Sequence, residues 1–308
     1  MATKAQTLIE NPLQAQLFPR IEEVLFATDF SAESLAALPF AAAIAQTFNS
    51  KIHLLHLLMP ETYAFVPPET VPAIVESIED DAFNRMLQLR SAEALKGLKL
   101  GSAEVARGEL GVLLRRIEER NIDLLVIGTH GRRGFQRLLL GSIAEEIVRR
   151  ARCPVLTVGP HAHFPKSGGF HPKHVVFATD ATPDSFRALP YAVLFAKREC
   201  SDMVMVHVLE HRDKQTPEAE AFAALLRESL HHTIPLDAIK TCSPEILVRF
   251  GDPVKEILDA AHERNSELIV MGARSGSVKN EKIFSKGVSY GVIAGATCPV
   301  LTVRGRDL

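Results

Sequence analysis

Short apolar runs alternate along this chain with longer stretches in which apolar residues recur every three or four positions. Glu23–Thr28 is a β-rich run that ends at Asp29. Behind it, with Ser31 or Glu33 as the lead-in, Leu35–Phe48 carries Ala and Leu at helical spacing. Ile52–Leu57 reads as a second strand, and Val71–Leu98, after Pro67-Pro68, as a long helix. Val105–Arg107 is a short third strand ending at Gly108, and Leu110–Arg120 is a helix. Leu124–Ile127 is a continuous apolar run suited to a buried strand; Ile143–Ala151 is helical, and Pro154–Val158 closes the series. Strands alternating with helices predict crossover connections and a mostly parallel, doubly wound sheet.

The pattern then repeats. Val24-Leu25-Phe26-Ala27-Thr28-Asp29 returns as Val175-Val176-Phe177-Ala178-Thr179-Asp180, and Cys153-Pro154-Val155-Leu156-Thr157-Val158 returns as Cys298-Pro299-Val300-Leu301-Thr302-Val303. Ser34-Leu35-x-Ala37-Leu38-Pro39 aligns with Ser185-Phe186-x-Ala188-Leu189-Pro190. Strands are accordingly predicted at Val175–Thr179, Met203–Val208, Leu247–Arg249, Leu268–Met271 and Pro299–Val303. The offset between copies is 151 at Asp29/Asp180, 144 at Gly128/Gly272 and 145 at Cys153/Cys298. The second copy therefore loses about seven residues around its long helix and gains one inside the glycine-containing loop that follows its fourth strand. Expected boundaries are a tail over 1–20, one domain over 21–159, a linker over 160–173 and a second domain over 174–305.

Composition narrows the classes. A net charge of -2 argues against a broad electrostatic footprint for nucleic acid and leaves room only for a local basic patch. No apolar run has membrane-spanning length, and the first 20 residues hold Lys4, Glu10 and Arg20 without an apolar core, so neither a membrane span nor a secretory leader is expected. Four cysteines, none in a CxxC pair, fit the cytoplasm. The linker contains Pro160, Pro165, Gly168, Gly169 and Pro172, a loop composition read as solvated. Its histidines, His161, His163, His171 and His174, have no cysteine or carboxylate beside them, and no metal site is assigned.

The chemistry concentrates in the first copy. In doubly wound sheets, ligands bind beyond the carboxyl ends of strands where strand order reverses. Ala27-Thr28-Asp29, His56-Leu57 and Gly128-Thr129-His130-Gly131-Arg132-Arg133-Gly134, running on to Gly141-Ser142, should converge there. Gly128 and Gly131 allow backbone approach that a side chain would block, so that N–H groups can face phosphate oxygens. Gly141-Ser142 opens a helix whose N-terminus favours an anion, with the Ser142 hydroxyl as a further donor. Arg132, Arg133 and Arg137 add positive charge, and His130 lies in the loop. Asp29 suits an amino group or ribose hydroxyl at the far end of a nucleotide. The same residues have a second, conformational use: glycines at a strand-to-helix turn, and Asp29 with Ser31 as a cap for the first helix. His56 and His207 occupy one position and are read as packing residues rather than catalysts.

The spacing Gly128-x2-Gly131-x9-Gly141-Ser142, preceded by an early Thr-Asp and followed by Cys-Pro-Val-Leu-Thr-Val, resembles the universal stress protein family across both copies. The resemblance implies two five-stranded parallel α/β domains of strand order 3-2-1-4-5. It also implies pairing of the last strands across the two copies, as a dimer within one chain, and leaves a further homodimer and a protein partner as expectations. Members with this loop bind ATP, here expected with Mg²⁺. By the resemblance, Asp29 and the Leu57 backbone hold adenine, Gly128, Gly131, Gly141 and Ser142 wrap ribose and phosphates, and Ile143 adds a backbone contact. The second copy keeps Asp180, Val208 and Gly272, but Ser275 stands for the second glycine and Lys286-Gly287 for Gly-Ser. Either Gly287 slides into register and leaves a weak site, or nucleotide affinity there is lost. Three functions follow: an adenine-nucleotide-binding regulator, a slow ATPase, or a nucleotide-independent interaction module. Hydrolysis is at most weak, because no Walker lysine and no base to activate water accompany the loop.

Overall fold

The computed structural model describes residues 19–59, 71–129, 141–164, 169–197, 202–210, 216–242, 244–273 and 287–304. The strands of the first half are β1 (Glu23–Thr28), β2 (Lys51–Leu58), β3 (Lys99–Arg107), β4 (Leu124–Gly128) and β5 (Val155–Val158). Those of the second are β6 (His174–Ala178), β7 (Asp202–Leu209), β8 (Glu245–Phe250), β9 (Leu268–Ala273) and β10 (Val300–Arg304). They form one ten-stranded sheet in the order β3-β2-β1-β4-β5-β10-β9-β6-β7-β8. Each half is parallel and reads 3-2-1-4-5 from its outer edge inward.

The halves meet where β5 and β10 pair antiparallel, the cross-copy pairing that the family resemblance implies. The junction is pseudo-symmetric in its side chains. The Thr157 hydroxyl donates to the Val300 carbonyl at 3.0 Å, and the Thr302 hydroxyl donates to the Val155 carbonyl at 3.3 Å. Both threonines are about 98 to 99% withdrawn from solvent, so these bonds satisfy hydroxyls that would otherwise be costly to bury.

Helices cover both faces. On one lie α2 (Leu38–Phe48), α3 (Val71–Arg90), α7 (Leu189–Lys197), α8 (Pro217–His231) and α9 (Leu236–Cys242). The other carries α4 (Leu110–Glu119), α5 (Ser142–Arg150), α10 (Pro253–Glu263) and α11 (Val288–Gly295). Short α1 (Ala32–Leu35) and α6 (Pro183–Phe186) follow the first strand of each half. Alternation along β1 feeds both layers: Val24 and Phe26 enter the first, Leu25 the second. Each apolar layer contains residues from both halves, so the core is continuous across the β5–β10 seam.

Several expected boundaries shift. The stretch Leu35–Phe48 is two helices, because Pro39 must sit in the first turn of α2 and α1 ends before it. The long helix stops at Arg90; a 3₁₀ turn (Glu93–Leu95) and Gly97 at φ +78° then carry the chain into β3, which starts at Lys99 instead of Val105. The linker is not simply solvated. Phe170 is 1% exposed and sits edge-on between Phe40 of α2 and Phe195 of α7, at centroid distances of 5.8 Å to each. Phe164 packs against Phe40 at 5.1 Å, and the Phe170 amide donates to the Thr47 hydroxyl. Of the linker histidines, His161 and His163 are exposed, while His171 and His174 are half-buried. No three His, Cys, Asp or Glu side chains gather as a metal site among the described residues.

Candidate functional site

β1 lies between β2 and β4, so the chain turns in opposite directions on either side of it. A crevice at the carboxyl ends of β1 and β4 follows from that reversal. Ala27, Thr28, Asp29, Leu57 and Gly128 sit at or just beyond strand ends on this side, and Gly141, Ser142 and Ile143 open α5, which is tied back to the end of β4 through the Gly141 amide and the Thr129 carbonyl. His130, Gly131 and Arg132 lie outside the described residues, as does Ser275 of the second half.

The turn after β1 is built by side chains. Phe30 adopts φ +60°, a left-handed conformation unusual for a bulky residue. Its amide donates to the Thr28 hydroxyl at 2.9 Å. The Asp29 carboxylate accepts from both the amide (3.0 Å) and the hydroxyl (2.6 Å) of Ser31. Ser31 in turn caps α1 by accepting from the Ser34 amide at 3.1 Å, and the Thr28 and Ser34 hydroxyls are 2.8 Å apart. The capping use of Asp29 and Ser31 is thus realised. A carboxylate at this place also complements the positive end of α1.

β2 supports the same turn from below. His56, 5% exposed, donates from Nδ1 to the Thr28 carbonyl at 2.8 Å, and its ring stacks at 4.4 Å on Phe30. His207 makes the matching bond to the Thr179 carbonyl at 3.0 Å. Burial holds the His207 imidazole below its ordinary pKa, although the bond to Thr179 and the nearby Asp180 charge act the other way. Both histidines therefore brace the turn.

On the β4 side, a Cβ added to Gly128 would lie 2.8 Å from the Ser34 Cα and 2.9 Å from the Glu33 carbonyl oxygen. Glycine is required because α1 presses on the strand end. Thr129 is 2% exposed; its amide donates to the Val158 carbonyl at 3.0 Å, and its own carbonyl accepts from the Gly141 amide at 2.9 Å. That last bond joins the two ends of the glycine-containing loop. Gly141 is the N-cap of α5, with φ -60° and ψ 142°, and no side chain caps this helix. Ser142 and Ile143 are exposed in its first turn, Ile143 by 46%. The Gly141 amide is already used, so the donors that remain for a ligand are those of Ser142 and the first helical turn, where the helix dipole favours an anion.

The second half reproduces the turn almost bond for bond. Asp180 accepts from the amide (3.1 Å) and hydroxyl (2.6 Å) of Thr182, Ala181 takes φ +61°, and the Thr179 and Ser185 hydroxyls are 2.8 Å apart. A Cβ on Gly272 would come within 2.6 Å of the Ser185 Cα. At the last helix Gly287 has φ -64° and ψ 143° and serves as the N-cap, matching Gly141 in conformation. Gly287 does fall into register; the hydroxyl is what is lost, because Val288 occupies the first helical position held by Ser142. The residues that sequence reasoning passed over are Ser34 and Ser185. A serine six residues after the strand-terminal threonine recurs in both copies and marks the bracing network.

The sequence profile described as the universal stress protein family matches this chain twice, over residues 20–159 and 171–304. A universal stress protein of Mycolicibacterium smegmatis is 25% identical over 300 residues, covering 92% of this chain and 97% of that protein. One from Methanocaldococcus jannaschii is 27% identical over 138 residues, 44% of this chain and 81% of that protein. Among solved structures, a universal stress protein from Archaeoglobus fulgidus superposes with a TM-score of 0.71 at 21% identity, covering 95% of this chain and all of that one, which shows the shared fold. With two matched copies that together span most of the sequence, the chain belongs to the universal stress protein family in a tandem form.

Proposed function

We propose that this protein is a stress-response regulator that binds ATP, carried with Mg²⁺, in its first half and holds a degenerate site in its second. The observation that carries the reading is the uncapped start of α5. α1, α6, α8 and α10 open on a Ser, Thr or Asp whose side chain bonds the first turn, whereas α2, α4 and α11 open, like α5, without such a bond. α5 opens on Gly141 with no such group, directly beyond the switch point, where a phosphate oxygen would supply the missing acceptor. Ser142 would add its hydroxyl there, and Asp29 and the Leu57 backbone would hold adenine. Gly128, His130, Gly131, Arg132 and Ile143 complete the proposed set. In the second half the replacement of Ser142 by Val288 and of a loop glycine by Ser275 weakens the same cradle around Asp180, Val208, Gly272 and Gly287.

Nucleotide occupancy is then signalled to a protein partner through residues 128–142. The two halves act as domains over 21–159 and 174–305, after a 20-residue tail and joined by 160–173, and the cytoplasm is the compartment where ATP would be sensed. Calorimetric titration of nucleotide-stripped protein with Mg²⁺ and ATP tests this. One site per chain, abolished by Gly131→Val and retained in Asp180→Ala, is the expected result. No heat of binding, or a site indifferent to Gly131→Val, overturns it.

A further inference from the structure

The outer surface of α3 carries two large apolar side chains that the core does not use. Ala82, Met86 and Leu89 face inward and are at most 8% exposed, whereas Phe83 is 57% and Leu87 48% exposed. They lie one helical turn apart and form a ridge on the solvent side. The chain emerges nearby. Ile21, 2% exposed, packs into the apolar layer beneath α2 and α3, and its carbonyl accepts a hydrogen bond from the Ser50 hydroxyl. Arg20, the next residue outward, is exposed.

The C-terminal end of α3 lies at the same end of the strands as Ile21. Its last residue, Arg90, donates to the Gly101 carbonyl near the start of β3, and β3 runs parallel to β1 with only β2 between them. Two strand spacings separate β1 from β3, about 10 Å. Residues 1–18, outside the described set, amount to about 60 Å if extended, far more than the gap requires. Within them Leu13 and Leu17, just after Pro12, are four residues apart, the spacing of one helix face and of the Phe83/Leu87 ridge, and a proline suits the first turn of a helix.

We propose that residues 12–17 dock on α3, with Leu13 and Leu17 covering Phe83 and Leu87. The equivalent helix of the second half also exposes apolar side chains, Phe222 and Leu225. That surface is seven strand spacings from β1, about 34 Å, so the near ridge is the one the tail meets first.

The chain contains no tryptophan, so Phe83→Trp places a single fluorescent reporter in the ridge. Acrylamide quenching is compared between that variant and the same variant carrying Leu13→Asp and Leu17→Asp, in the full chain. A docked tail withdraws the reporter from water, so the two aspartates should raise the quenching constant about twofold and red-shift the emission. Leu225→Trp, read with and without the same aspartates, should not respond. Equal quenching at position 83 with and without the aspartates overturns the proposal. So does protection that disappears on about tenfold dilution, which assigns the ridge to a second copy of the chain. Unchanged circular dichroism melting across the set establishes that the reporter reads local covering and not unfolding.

Discussion

Replacing Phe170 with alanine removes a side chain that is 1% exposed and touches an aromatic ring from each half. Truncating a buried phenylalanine costs about 3–5 kcal/mol, the lost transfer free energy plus the cavity left behind. The high end applies here. Phe40 and Phe195 both lose an edge contact, each worth about 0.5–1.5 kcal/mol, and neither can move inward, because each is itself at most 2% exposed within the sheet-facing layer. Because both apolar layers run through both halves, the protein should unfold in one cooperative transition, by urea or by heat. At about 2 °C per kcal/mol for a chain of this size, Phe170→Ala should melt about 10 °C lower. Phe164→Ala, at a partly buried position in the same segment, should lose less. The assay is urea titration followed by far-ultraviolet circular dichroism, with the slope checked for constancy. A loss below about 1 kcal/mol would refute the reasoning, since it would mean the ring fills no close-packed seat.

Two further outcomes follow from charge and burial. Burial pushes the Glu23 carboxyl up, but hydrogen bonds and charge from Lys51 (2.9 Å) and His53 (2.6 Å) outweigh it and hold it below the usual 4.5. A carboxyl lowered in the native state contributes stability that is present above its unfolded value and is lost as pH falls through the native one. Glu23→Gln should therefore be less stable than the parent in urea at neutral pH, with the gap closing at about pH 3; a gap that does not change with pH contradicts this. Burial also pushes the Cys153 and Cys298 thiols up to about 12. Neither should react with a disulfide reagent near pH 8 until the protein is unfolded, and rapid labelling of the native protein at either residue would show the burial to be wrong.

The strands with continuous apolar runs were readable from the sequence because both their faces are covered. Glu23–Thr28 begins and ends where expected, and Leu124–Ile127 gains only Gly128. β3 was half-missed for a physical reason. Its first five residues, Lys99 to Ala103, include Gly101 and Ser102 and carry no apolar pattern, because the strand is at the sheet edge. Its shape there is set by a partner: a register shift opposite Ile52 and Leu54 lets the His53 ring lie over Gly101, where an added Cβ would come within 2.5 Å of it. Such a tertiary demand leaves little local trace. The linker misled because proline and glycine announce a loop without saying whether an aromatic among them is buried. At the site, the Thr-Asp turn and the Gly141 cap were legible. The reason for Gly128 was not, since the residue it must clear, Ser34, belongs to a different element.

The antiparallel seam between β5 and β10 changes what dilution can do. Two separate chains joined through such strands would come apart as their concentration fell, whereas here each partner strand is tethered to the other at a fixed local concentration. The tether also removes the demand that both sides of the seam be copies of one surface, as a twofold contact between identical chains requires. Each half is always matched with the other and never with itself, so a change in one need not be tolerated twice. The last helix of one half can therefore begin with Ser142 and that of the other with Val288, because the two positions are encoded by separate residues.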